Sequence, residues 1–537
     1  MKKNRILALL LACVMMFALV ACGGSQGNDQ AGTPSGSEQP TGDPATSVGP
    51  TGEGTYERKT AEGTLTVGLT GTNEGFDIAT SLNQTGISLV YETILEKDPY
   101  TGEIYSKVAE SWEYVDDCTL VIKFKEGITF ANGEPMTAED ALYSLHRMIL
   151  ANSRWSTFVN AFNFEKSTAD GLTLTLVTDK PFGPGLNYLT TRYASISCKS
   201  YIENCNPEDL WDAPMGTGPY EVVENVAGSH QTYKLRDDYW AKDEYPAPAE
   251  TITLKYYAEQ SSMMLDYENG ALDMAFDLSV SDAARALNSD VEHSNVVLAP
   301  VYDTYTICMP EYVEAFNDIR VRQAIAYAID TKSITEAAMG VLGVHATSTL
   351  PNGVDYKIEV GAYEYNPEKA RELLAEAGIK EGDLNLEFVV VNSSTNNSIA
   401  EFVEAYLSEV GINCHINSAD LPTAIPLFMA GATDLVINSM GASAQDPDQQ
   451  YDTVKATSTN ATVRITDPVM DGYLMTGRDS VDPEVRAENY ANAQQWLYDN
   501  YREIPLCDVY ECFIYRDYIS DFACISPAGP NLLYVQW

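Results

Sequence analysis

Apolar and polar residues alternate along the first part of this chain with the period of two that turns one face of a strand toward a core. Leu65, Val67 and Leu69 alternate in this way and predict a strand over residues 64–69. Leu120, Ile122 and Phe124 predict another over 119–124, and Leu172, Leu174 and Leu176 a third. Glu126-Gly127 reads as a turn, with more strand over 128–130. Thr137 followed by Asp140 predicts a capped helix with Ala141, Leu145, Met148 and Ile149 on one stripe. Short strands with occasional helices continue to about residue 300.

Beyond that point the period changes to that of amphipathic helices. Asp318 is placed to cap a helix in which Val321, Ala324, Ile325, Ala328 and Ile329 recur at helical spacing. Asn366-Pro367 opens another, with Ala370, Leu373, Leu374 and Ala377 inside and Gly378 at its end. A third is predicted from about Ser398, carrying Phe402, Val403, Tyr406, Leu407 and Val410 to Gly411. Strands at 384–391 and 413–416 follow the last two helices, and this alternation builds an α/β domain with a largely parallel sheet. From about 503 the sequence returns to strand-like and aromatic residues. Two textures, the second inserted in the first, predict two lobes with a cleft between them.

The N-terminus changes the picture of where this body works. Lys2, Lys3 and Arg5 precede an apolar run over 6–20 that is too short and wrongly flanked for an ordinary spanning helix. The run ends in Leu19-Val20-Ala21-Cys22-Gly23, small residues before a Cys, which is the pattern of a bacterial lipoprotein signal with Cys22 as the lipidated residue. Residues 23 to about 60 hold almost nothing apolar and read as a disordered tether. A chain of that length spans roughly 30–40 Å, enough to lift a globular body clear of a membrane. The remaining residues are too many for one core. Formal charge is −44, all three basic residues of the signal being lost on cleavage. So acidic a body repels nucleic acid and anionic lipid as partners.

Catalytic chemistry is hard to find. The five histidines, His146, His230, His293, His345 and His415, are never at metal-ligand spacing, and no HExxH, phosphate loop or GxGxxG is present. Gly441-Ala442-Ser443-Ala444-Gln445 lacks the closing glycine of a nucleophile elbow. Of ten cysteines, Cys13 leaves with the signal and Cys22 takes lipid. Cys198 and Cys205 flank a short loop and Cys507, Cys512 and Cys524 lie near one another, but no pair has CxxC spacing and a body this large needs no disulfide. No cofactor and no metal are implied.

Several segments, taken in order, carry a resemblance. Val108-Ala109-Glu110-Ser111-Trp112 is followed by a strand-turn-strand from Thr119 to Phe130 and by Asn132-Gly133-Glu134-Pro135-Met136-Thr137-Ala138-Glu139-Asp140. Met215-Gly216-Thr217-Gly218-Pro219-Tyr220, Arg320-Val321-Arg322-Gln323-Ala324 and the 366–378 helix complete the set. Together they resemble the bacterial extracellular solute-binding proteins of family 5, the oligopeptide, dipeptide and nickel type. The resemblance implies an α/β fold, a two-lobed periplasmic-binding-protein type II clamshell with an extra subdomain on the first lobe. Lobe I would comprise 61–95, 215–298 and 503–537, the subdomain 96–214, and lobe II 299–502. It also implies a ligand buried between the lobes, an ABC permease as partner and a monomer held at the extracytoplasmic face of the cell membrane.

Three segments match ligand-lining regions of the family: 70–77, 188–192 and 437–446. They nominate Thr70, Asn73, Glu74, Gly75, Phe76, Tyr188, Arg192, Ser439, Met440, Gly441, Ser443 and Asp446, with Ser394 from the loop after the 384–391 strand. Gly71 and Gly75 would let backbone approach a ligand closely. Two departures from the family pattern stand out. Ser443 occupies the position where peptide binders place an Asp for the ligand ammonium, and the loop Asn392-Ser393-Ser394-Thr395-Asn396 carries no Arg for a ligand carboxylate. A peptide remains the expected ligand, with a sugar-like solute as the alternative suited to a Ser/Thr/Asn lining and a secreted hydrolase as the remote one.

Overall fold

The computed structural model describes residues 46–48 and 63–537, except 74, 82–83, 100, 154, 207–208, 440, 456–462, 464, 521 and 523–530. Cys22, Glu74, Met440 and Cys524 therefore lie outside the described residues. Among the described residues no helix is long and apolar enough to cross a membrane.

The 64–69 alternation forms the strand Thr64–Thr70, with Leu65 and Val67 fully buried. It lies in a mixed sheet between two parallel neighbours, Thr251–Tyr257 and Met274–Ala275. The strands His230–Leu235 and Tyr220–Val226 extend that sheet on one side, and the long strands Glu503–Arg516 and Ser294–Cys308 extend it on the other. Thr46–Val48 pairs antiparallel with Val296–Leu298, so one stretch of the segment expected to be a structureless tether is an edge strand. An edge strand needs only backbone hydrogen bonds along one side, which a polar sequence can supply.

A separate four-stranded antiparallel sheet runs Ala109–Asp116, Thr119–Phe124, Thr173–Val177, Thr168–Asp170. The helix Ala138–Leu150 packs on it, started by the Thr137/Asp140 capping box and burying Ala141, Leu145 and Met148. Leu120, Ile122 and Phe124 join Leu65 and Val67 in one continuous core, so this subdomain is fused to the first lobe. The predicted strand over 128–130 is reduced to a single bridge, Thr129 to Pro135, because the chain reverses at Asn132-Gly133 with Gly133 at φ +82°.

A second core gathers the helices Ile319–Ala328, Pro367–Glu376 and Ser394–Glu409 around the parallel strands Asn385–Val391 and Asn413–Ala419. The last of these helices begins four residues before Ser398, since Ser393 accepts the Asn396 backbone N–H and caps it. Residues 394–396, expected as loop, are its first turn.

Both cores hang on the same two strands. Ser294–Cys308 and Glu503–Arg516 pair antiparallel from Ser294–Arg516 to Cys308–Glu503. Val297, Ala299, Phe513 and Tyr515 belong to the first core; Ile307, Ile504, Leu506 and Cys507 belong to the second. Regular pairing breaks between Pro300 and Thr304, where Pro300 has no N–H to give and Tyr302 sits at φ +55°. Cys198, Cys205, Cys507 and Cys512 are free thiols, and burial pushes Cys507 and Cys512 up to about 12.

Close backbone packing explains one of the glycines in the 215–220 motif. A Cβ on Gly216 would lie 2.1 Å from the Val90 carbonyl oxygen and 2.6 Å from Tyr91 Cδ1. Gly216→Ala should therefore destabilise the protein by about 1–3 kcal/mol, read as a lower urea midpoint at unchanged slope. An unshifted midpoint would contradict this packing.

Candidate ligand-binding cleft

On one face of the two long strands the first core ends and the second has not begun. Residues opposite each other in an antiparallel pair share a face, and so do alternate residues along each strand. Val297, Ala299 and Phe513 lead along this face to Glu511, paired with Ala299, and on to Tyr305 and Cys507, which pair with each other. Alternation from Tyr305 places Asp303 on the same face. The interval between the cores thus carries Glu511 and Asp303 where apolar residues would otherwise continue. The Tyr305 hydroxyl is hydrogen-bonded with Ser439, from the start of the 439–446 loop.

Thr70 reaches this interval from the first lobe. It is the last residue of its strand, and its hydroxyl donates to Asp277 Oδ2 at 3.1 Å. Asp277 follows the Met274–Ala275 strand, with Leu278 N–H donating to the Cys512 carbonyl at 3.4 Å. Thr70, Asp277 and Glu511 therefore form a row across neighbouring strands, at the carboxyl ends of two parallel ones. Crevices outside such ends are where open α/β sheets take ligands. Burial holds the Asp277 carboxyl above the usual range, and burial with the Asp277 charge beside it pushes Glu511 up to about 8.

Tyr188 and Asp446 meet elsewhere, where the subdomain touches the 440–490 segment. Asp446 is fully buried. Arg486 donates to both its oxygens at 2.9 Å, Asn187 Nδ2 donates to Oδ2 at 3.0 Å, and the Asp448 backbone N–H donates to Oδ1 at 3.0 Å. A carboxylate has about four acceptor sites, so this one is saturated. Tyr188 donates to Asp448 at 3.0 Å, and Lys455 is ion-paired with the same carboxylate. Burial opposes ionisation of Asp448, but the Lys455 and Arg478 charges hold it below the usual carboxylate range. Asn187 also reaches Asp355 at 2.8 Å, itself 3.5 Å from the buried Lys97. Gly183 lets the two segments approach: a Cβ there would lie 2.1 Å from the Ser480 carbonyl oxygen.

Residues 103–462 match the family described as bacterial extracellular solute-binding proteins, family 5, middle region. The chain belongs to this family. Its fold is that of the solved relatives, a two-lobed type II clamshell with an added subdomain on the first lobe, and its role is that of the substrate-binding component of an ABC importer. The probable ABC transporter periplasmic-binding protein SapA of Escherichia coli is 25% identical over 474 residues, 82% of this chain and 85% of that protein. The glutathione-binding protein GsiB of Pectobacterium atrosepticum is 24% identical over 457 residues, 81% of this chain and 86% of GsiB. Among solved structures, HbpA2 of Haemophilus parasuis superposes with a TM-score of 0.77 at 22% identity, over 88% of this chain and 99% of that one. Helicobacter pylori DppA in complex with the peptide STSA gives 0.72 at 19%, over 88% and 97%.

The remaining nominated residues of this family 5 protein are spread over several environments. Asn73 is buried and ties the turn between two strands, its amide donating to Asn225 at 2.5 Å and its oxygen accepting from Gly228 N–H at 2.6 Å. Phe76 is fully buried and packs edge-to-face on Tyr233. Gly75 lies against Trp211, where a Cβ would be 2.9 Å from the ring, while Gly71 at φ +99° has open space beside it. Arg192 is buried, with its guanidinium over the rings of Tyr193 and Trp155 at 4.9 and 5.8 Å. Ser394 is exposed in the first turn of its helix. Gly441, Ser443 and Ala444 are bound into one loop by Gln449, whose amide donates to the Gly441 carbonyl at 2.9 Å and accepts from Ala444 N–H at 2.9 Å. Of the nominated set, Thr70 and Ser439 meet the interval between the cores, and Tyr188 and Asp446 meet each other's loops. Asp277, Asp303, Tyr305 and Glu511 were not nominated. Their signal was a charged residue inside an otherwise core-forming run, as in Tyr510-Glu511-Cys512-Phe513.

Removing one member of a buried ion pair strands the other charge. Arg486→Met should cost about 3–5 kcal/mol by chemical denaturation, and adding Asp446→Leu should restore much of it. A single-variant cost near zero would mean that Asp446 is held by other groups.

Proposed function

We propose that this protein is a lipid-anchored, extracytoplasmic receptor that captures a peptide-like solute between its lobes and hands it intact to an ABC permease. In this reading the first lobe comprises residues 61–95, 215–298 and 503–537, the second 299–502, and the subdomain 96–214. Cys22 carries the lipid, and the body acts as a monomer by binding, without turnover. One observation carries the ligand-capture reading. Where the cores part, the two shared strands present Glu511, Asp303 and Tyr305, with Ser439 hydrogen-bonded to Tyr305 and the Thr70–Asp277 pair beside Glu511. Closing the lobes over that floor buries a solute against groups that can hydrogen-bond a peptide backbone. Relatives aligned over four-fifths of this chain include a glutathione-binding protein, and a structure sharing the fold holds a peptide.

Ligand acts by shifting an open–closed equilibrium, and by no more than its differential affinity for the closed form. A micromolar solute corresponds to about −8 kcal/mol after the costs of closure. The anchor keeps the receptor concentrated beside its permease.

Two outcomes are expected. Cys22→Ala protein should appear in the soluble envelope fraction or the medium, because the diacyl group is then missing. Complete retention on washed membranes would remove the anchor from this account. A saturating peptide ligand should also shrink the radius of gyration in small-angle scattering and raise the melting temperature with concentration. A radius unchanged at saturation would contradict closure.

A further inference from the structure

The saturated state of Asp446 sharpens a question about ligand charge. A carboxylate is the strongest partner a protein can offer a peptide's ammonium, and the acids nearest to hand are spent. Asp446 is filled by Arg486, Asn187 and a backbone N–H. Asp77 is gripped by Arg147 through two hydrogen bonds of 2.5 and 2.8 Å. Other buried carboxylates also have cations: Asp508 has Lys357 at 3.2 Å, and Glu92 has the Lys107 charge together with the Tyr239 hydroxyl.

The carboxylates on the floor between the cores differ. Among the described residues the Glu511 side chain has no hydrogen bond and no ion pair, and the one charge acting on it is that of Asp277. Asp277 is held by neutral groups alone, the Thr70 hydroxyl on its side chain and the Gln260 amide on its carbonyl at 2.7 Å. Its backbone is at φ +56°, the left-handed region that a non-glycine residue enters at a cost. Asp303, on the same strand face as Tyr305, has a side-chain oxygen, Oδ1, that is buried and without a hydrogen-bond partner. The charge beside it is Asp508, another acid. Among the described residues these three acids have no basic partner, which leaves a local excess of negative charge in the interval.

We propose that Asp277 and Glu511 receive a cationic group of the ligand, with Asp303 adding to the negative field, so that the carried solute is a basic peptide. This rests on the importer reading given above. An ammonium or guanidinium placed between Asp277 and Glu511 turns mutual repulsion into two charge-assisted hydrogen bonds. Both carboxylates are then stable in the ionised form, so a proton held by the empty pair leaves as the cation arrives.

Calorimetry on the full-length protein at about pH 7 tests this, with three tripeptide probes: Lys-Ala-Lys, the same peptide acetylated on its three amines, and Glu-Ala-Glu. Lys-Ala-Lys should bind about tenfold or more tighter than the acetylated form. Its binding heat should vary with the ionisation enthalpy of the buffer, showing proton release. Glu511→Gln should abolish both the preference and the proton release. Asp277→Asn, which keeps a residue tolerant of the left-handed backbone, should do the same and guards against misfolding of the first variant. Replacing Glu511 should raise the melting temperature of the empty protein near pH 8 more than near pH 5, since the raised carboxyl costs stability as it ionises. Equal or tighter binding of the acetylated or acidic peptide, or a preference that survives both substitutions, overturns the proposal. If those peptides nevertheless compact the protein in scattering, the importer reading stands without it. If none of the three binds, both the basic-peptide proposal and the peptide reading fall.

Discussion

Everything in this molecule is arranged around one pair of antiparallel strands that belongs to two hydrophobic cores at once. A strand buried on both faces along its whole length would weld the cores into one. Here the pairing is interrupted between Pro300 and Thr304, and on one face the apolar sequence gives way to Asp303 and Glu511. That interruption costs core packing and regular hydrogen bonds. In return the two lobes share a connection with a polar floor, and each lobe keeps a core of its own. Hinge closure needs this combination of stiff bodies joined at a few residues that absorb the backbone change.

Closure also needs a surface at which the lobes can meet without a ligand's help and without sticking. The contact between the subdomain and the 440–490 segment is polar and charged: Asn187 with Asp355 and Asp446, Tyr188 with Asp448, Lys180 with Asp479 at 2.5 Å. Asp446 and Asp448 in this contact are buried, so an alignment that left either without its partners would strand a buried charge. Asp446 is therefore best understood as an element that fixes how the two faces register.

The sequence made the architecture legible wherever burial is periodic. The alternation at 64–69, the Thr137/Asp140 box and the stripe on 319–328 all reappear in the structure because one buried face dictates them. The same logic failed at 128–130, where a tight reversal overrides alternation, and at Ser393, whose hydroxyl starts a helix earlier than its apolar stripe does. The residues proposed to face the ligand are harder to read. Asn73 and Phe76 sit in a segment that matches a ligand-lining region, yet their side chains serve a turn and a core. Glu511 and Asp277 belong to no motif and lie more than two hundred positions apart. Only the register of three strands brings them together, and register over such separations is set by tertiary packing that no local window contains.

The most direct test is to identify the small molecule that leaves the cleft. The protein would be purified without detergent exchange or dialysis from cells in which it is expressed, then denatured, and the released solute analysed by mass spectrometry. The account predicts an intact peptide carrying net positive charge, in about one copy per protein. An acidic or neutral solute would contradict the role given to Asp277 and Glu511, and a cleaved or otherwise transformed product would contradict capture without turnover.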